Sequence, residues 1–143
     1  MSRIVSFRGL ISSGDQERIS LTTIRGLIGY RIVKFQLLGS NGNSVYESVV
    51  EIHTINKASV GLIDFDETTL LAAGIYQDSS TNGILGDSQV VFDNVTFNQD
   101  IFISYIESGS ATTGINYYIE LEQKDLNLDE ATVATLKNIR NND

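Results

Sequence analysis

The sequence predicts an all-β protein: an antiparallel β-sandwich, jelly-roll-like, with one short C-terminal helix over about residues 128–140. Three observations carry this. Eight or nine short segments alternate apolar and polar residues at regular spacing along the 143-residue chain. Clusters of Gly, Asn, Ser and Asp separate them, the composition of turns. After Gln123 the apolar period changes from that of a strand to that of a helix. No internal repeat, low-complexity tract or linker interrupts the pattern, so the expectation is a single domain over residues 1–143.

Residues 3–10 alternate and read as a first strand at a sheet edge. After the Ser12-Ser13-Gly14-Asp15 turn, residues 17–24 hold a second short strand with Ile19 and Leu21 on one face. Residues 29–38 read as a strand with Val33, Phe35 and Leu37 inward and Lys34 and Gln36 outward. Asn41-Gly42 lies at the centre of the next turn and predicts a hairpin, because both residues accept positive φ. The return strand, 45–55, would put Val50 and Ile52 inward and Glu51 and His53 outward. A short strand is expected at 62–65, and another at 70–77, where a helical turn over 67–73 competes. Residues 78–87 read as a loop and 88–93 as a strand with Val90 and Phe92 on one face.

The longest pattern is a hairpin with arms at 95–106 and 115–123, expected to organise the rest. Ile115, Tyr117, Ile119 and Leu121 share one face of its return arm, while Asn116, Tyr118, Glu120 and Glu122 share the other. In the helix, Asn127 is the predicted N-cap and Glu130 its capping-box partner. Leu128, Thr132, Leu136 and Ile139 form a stripe expected to dock on a sheet or on a neighbouring copy.

Composition narrows the function. The chain has no Cys, which removes disulfides, thiolate chemistry and cysteine-bound zinc. No apolar run reaches the length of a membrane span and the N-terminus lacks a signal h-region, so the expectation is a soluble chain made in the cytoplasm, with no membrane partner. The net charge of -8 argues against a large nucleic-acid footprint. Yet residues 1–34 carry +4 and the remainder -12, so the basic N-terminal third suits an acidic neighbour.

Candidate chemistry is sparse. His53 is the only histidine, and no G-x-S-x-G or comparable motif gives it a nucleophile; it reads as an exposed strand residue. Asp64-Phe65-Asp66-Glu67 is the densest acidic cluster, but it lacks the glycine and terminal glutamate of an EF-hand loop and reads as an ordinary acidic turn. Gly83-Ile84-Leu85-Gly86 lacks the Gly-Lys-Ser/Thr ending of a phosphate loop. No catalytic residue, metal ligand or cofactor is expected, and the chain reads as a non-enzyme.

Two stretches carry a likeness. One joins Ser2-Arg3-Ile4-Val5-Ser6-Phe7-Arg8-Gly9-Leu10 to Gly29-Tyr30-Arg31-Ile32-Val33-Lys34-Phe35. The other runs from Phe97-Asn98-Gln99-Asp100-Ile101-Phe102 through Tyr117-Tyr118-Ile119-Glu120-Leu121-Glu122 to Thr132-Val133-Ala134-Thr135-Leu136-Lys137-Asn138-Ile139-Arg140. Together they resemble small virion structural proteins of marine tailed bacteriophages, the likeness being weakest over residues 56–88. The resemblance carries no catalytic motif. It implies a β-sandwich that decorates or cements the phage head, located in the virion, bound to the major capsid protein or other virion proteins and assembling as a homo-oligomer. Arg3, Arg8, Tyr118, Leu136 and Ile139 are the candidate interface residues. The alternative expectation is a tail or spike domain that recognises a host-surface glycan through the polar loops at 78–87 and 107–114.

Overall fold

The computed structural model describes residues 2–21, 27–57, 62–79 and 84–142. In chain order its elements are β1 (Ser2–Ile11), β2 (Gln16–Ile19), β3 (Ile28–Gly39), β4 (Tyr46–His53), β5 (Leu70–Ser79), β6 (Ile84–Val91), β7 (Ile101–Glu107), β8 (Ile115–Asp125) and α1 (Leu128–Asn142). The strands form two antiparallel sheets, one in the order β1-β8-β3 and one in the order β2-β7-β4-β5-β6. The expected all-β sandwich with a C-terminal helix is therefore what the chain forms, and β1 is an edge strand as its sequence suggests.

Both expected hairpins are absent, and the reason is burial. Ile115, Tyr117, Ile119 and Leu121 of β8 are all buried, as their alternation requires, and so are Ile101, Ile103 and Tyr105 of β7. A flat hairpin would place both apolar faces side by side and still need a second layer to cover them. Instead the chain crosses from one sheet to the other between β7 and β8, and the arms lie in opposite layers. β8 pairs with β1 from Ser2 opposite Lys124 to Ile11 opposite Ile115, and its other edge pairs with β3. β7 pairs with β2 and β4. Residues 95–100 form no strand; Phe97 makes one isolated bridge to Tyr30.

The Asn41-Gly42 turn is likewise a crossing, because β3 belongs to the first sheet and β4 to the second. The buried Tyr46 clamps it: its hydroxyl accepts from the Ser40 amide at 2.9 Å and donates to the Gly114 carbonyl at 2.9 Å. Both crossings are thereby tied at one end of the sandwich. Gly114 has φ +89°, and a Cβ there would lie 2.6 Å from the Ile11 carbonyl oxygen, so only glycine fits.

Other expectations need adjusting. Phe35 and Leu37 are buried as expected, but a bulge between Ile32 and Lys34 puts Ile32 in the core and leaves Val33 half-buried. No strand forms at 62–65, whereas 70–79 is a strand and not a helical turn. β6 begins at Ile84, so Leu85-Gly86-Asp87 is strand rather than loop; Val90 is 40% exposed, and Phe92 falls beyond the strand. Residues 22–26, at the end of the expected second strand, and 80–83, within the expected loop, lie outside the described residues.

The capping box forms as the sequence predicts: the Glu130 amide donates to Asn127 Oδ1 at 2.8 Å and the Asn127 amide to Glu130 Oε1 at 3.2 Å. The predicted stripe does not dock the helix on its own sandwich, however. Leu128, Leu136 and Ile139 are 73%, 59% and 53% exposed. The helix instead turns the small, buried Ala131 inward, and Asn98 Nδ2 donates to Thr135 Oγ1 at 2.9 Å. A small residue lets the helix lie close to the non-strand segment at Asn98, whose Nδ2 also donates to the Ala131 carbonyl at 3.4 Å, while the bulkier Leu128, Leu136 and Ile139 stay exposed.

Candidate functional site

The outer face of the three-stranded sheet is an ordered array set by register. Four rows cross it: Ile4, Glu122 and Arg31; Ser6, Glu120 and Lys34; Arg8, Tyr118 and Gln36; Leu10, Asn116 and Leu38. Alternation puts all of these on the side away from the core. Over the last two rows lies an open groove of about 650 Å³, which Asp87 of β6 also lines. Leu10 and Leu38 are 52% and 64% exposed at its end.

The charges on this face are largely matched. Arg31 Nε donates to Glu122 Oε1 at 3.0 Å, which holds the Glu122 carboxyl below its ordinary value. The Tyr118 hydroxyl donates to Glu120 Oε2 at 2.6 Å, and that bond raises the Tyr118 phenol above its ordinary value. Lys34 Nζ stands 5.9 Å from the centroid of the Tyr118 ring. Arg8 forms no ion pair with any described residue.

A second polar cluster is buried at its centre, around Glu51 and His53, and half-buried at Lys57 and Glu67. The expected outward-facing Glu51 and His53 are on the outer side of β4, yet both are buried. Glu67, from the segment before β5, comes up to His53, and Lys57, from the segment after β4, pairs with Glu67. His53 Nε2 is 3.6 Å from Glu67 Oε2 and 3.8 Å from Glu51 Oε1, and Lys57 Nζ bonds Glu67 Oε1. Gln16 Nε2 donates to Ser104 Oγ at 2.7 Å and to the Lys57 carbonyl at 3.2 Å, fastening this segment to β2 and β7. Burial lowers the His53 pKa, with Glu67 opposing and Lys57 reinforcing the shift. His53 is thus a core residue and not the exposed one its strand position suggests.

A third cluster fixes the 107–114 crossing. Glu107 Oε2 accepts from the Glu47 and Gly109 amides at 2.6 and 2.9 Å, and Oε1 accepts from Ser48 Oγ and the Tyr105 hydroxyl at 2.5 Å each. Burial works to raise this carboxyl, but the four donors outweigh it and hold it below the ordinary range. Within the segment Ala111 and Gly114 are buried, while Ser108, Ser110, Thr112 and Thr113 are exposed.

Asp64 and Asp66 form an exposed turn in which Asp64 Oδ1 accepts the Asp66 amide at 2.9 Å. Among the described residues no three His, Asp or Glu side chains are grouped to hold a metal ion. Also among the described residues, no helix is long and apolar enough to cross a membrane.

Of the predicted interface residues, the register brings Arg8 directly opposite Tyr118. Arg3 lies at the other end of β1, opposite Gln123, and Leu136 and Ile139 sit apart on α1. Gln36, Asn116, Leu10, Leu38 and Asp87 complete the groove and were not singled out from sequence. Their signal was the outward register of 36 and 116; what joins them is strand order, which is non-local. The chain matches no protein-family model and no curated protein.

Proposed function

We propose that the chain is a non-enzymatic structural protein of a tailed-phage virion, decorating the head shell by docking on the major capsid protein and on further copies of itself. The observation that carries this reading is the apolar strip of α1. Leu128, Val133, Leu136 and Ile139 are 53–73% exposed on a helix that is already anchored through Ala131. Exposed apolar surface of this kind is costly in a solitary protein and suits a protein–protein interface. The phage resemblance supplies the setting, and the exposed cations Arg3 and Arg8 suit an acidic neighbour. Quantitative mass spectrometry of purified particles, normalised to the major capsid protein, tests it. Many copies per particle with label spread over the head is the expected result. A particle free of the protein, or label confined to the tail, overturns it.

A further inference from the structure

We propose that the groove on the outer face of β1-β8-β3 is a binding site for a neutral pyranoside, a mono- or disaccharide. The inference does not depend on where the protein sits in a particle, and it moves sugar recognition from the loops to the sheet.

The groove has the size of a small-ligand site, about 650 Å³. Its side chains alternate in kind. Arg8, Gln36 and Asn116 present planar hydrogen-bonding groups, and Asp87 adds a carboxylate. Between and beside them lie the Tyr118 ring and the exposed Leu10 and Leu38. A pyranose has the matching surface: an apolar C–H face and a rim of hydroxyls that each donate and accept. The Tyr118 hydroxyl is already engaged by Glu120, which fixes the ring as a platform.

Charge and backbone argue against other occupants. One cation, Arg8, which forms no ion pair with any described residue, and one carboxylate, Asp87, line the groove, so its charge is balanced and suits a neutral ligand better than a phosphate. β8 forms the floor and is paired on both sides, so its amides and carbonyls are committed to the ladders. β8 itself offers an extended peptide no free strand edge; the free edges of this sheet belong to β1 and β3. With the β8 backbone committed, the outward side chains Arg8, Gln36, Asn116 and Tyr118 are what can read a ligand's hydroxyls.

The test uses the full chain and two-dimensional amide NMR. Methyl glucoside, methyl mannoside, methyl galactoside and N-acetylglucosamine are each titrated to about 20 mM, for a site of roughly millimolar Kd. The expected result is saturable shifts for at least one sugar, confined to the Gln36 and Asn116 side-chain amides and to residues 8–10 and 116–118. Asn116→Ala and Arg8→Ala should each weaken binding about tenfold while melting as the parent does. Arg8 is exposed on an edge strand, so its variant keeps the test meaningful if Asn116→Ala fails to fold. No shift with any of the four sugars overturns the proposal, as do shifts elsewhere on the chain. The same shifts on concentrating the protein alone would place a second copy in the groove and overturn it too.

Discussion

Two ionisable side chains, the buried His53 and the half-buried Glu107, contribute to how this protein responds to acid. His53 lies between Glu51 and Glu67, with Lys57 on the far side of Glu67, and burial lowers its pKa. The unfolded chain therefore takes up its proton first, near the ordinary imidazole value of about 6.5. Stability should fall as the pH drops through that value, and the loss should stop below the lower folded-state pKa. His53→Gln should flatten the dependence of the urea midpoint on pH between about 7 and 5; an unchanged slope would mean that another group titrates there. Glu107 acts lower on the scale and in the same direction. Its folded-state pKa is depressed, so its contribution is complete above the ordinary carboxylate value, about 4.3, and is lost as pH falls through the folded value. Glu107→Gln keeps the shape but turns an amide NH2 toward two donors, whichever way it is placed. A cost of about 3 kcal/mol in urea unfolding at neutral pH is expected, together with a shallower loss of stability in acid.

Within single elements, the sequence was most readable where the signal is local. The inward face of β8 and the capping box of α1 follow from neighbours two to four positions apart, and both form as expected. Val33 misled because one inserted residue shifts the alternation, and nothing in its side chain marks a bulge. His53 misled because Glu67, fourteen positions along the chain, comes up against it. The helix stripe was legible as apolar, but not its partner: Ala131 carries the intramolecular contact. The prediction for α1 follows from that division. Leu136→Ala should leave subunit melting within about 0.5 kcal/mol of the parent, while weakening attachment to particles. Ala131→Leu should instead overpack the helix contact and cost the subunit about 1–3 kcal/mol. Calorimetry of the isolated chain together with a particle-binding assay separates the two; a subunit destabilised by Leu136→Ala would return the stripe to an intramolecular role.

At the scale of the whole molecule, alternation foretold two apolar-faced layers but not which strands share a layer. The turns at 39–45 and 107–114 have the composition of hairpin loops and yet carry the chain between sheets, because pairing is decided by what covers each apolar face. The groove was hidden for the same reason: Arg8 and Tyr118 stood out singly, while Gln36, Asn116 and Asp87 join them only once β1, β8, β3 and β6 have taken their places. The two layers meet closely at Gly74 of β5. A Cβ added there would lie 2.8 Å from Leu37 Cδ1 and 3.1 Å from Phe35 Cε2, both on β3 in the opposite sheet. Gly74→Ala must therefore push β5 away from β3 or force Leu37 and Phe35 from their rotamers, since cores packed to this density have no slack to absorb a methyl group. The expected cost is about 1–3 kcal/mol, read as a lower urea midpoint with an unchanged slope. Gly86→Ala is the control, because nothing lies within 4 Å of its Cβ position. It should stay within about 0.5 kcal/mol of the parent. Equal stability of the two variants would show that the sheets part freely at β5, and the close approach of the layers there would not be what holds the sandwich shut.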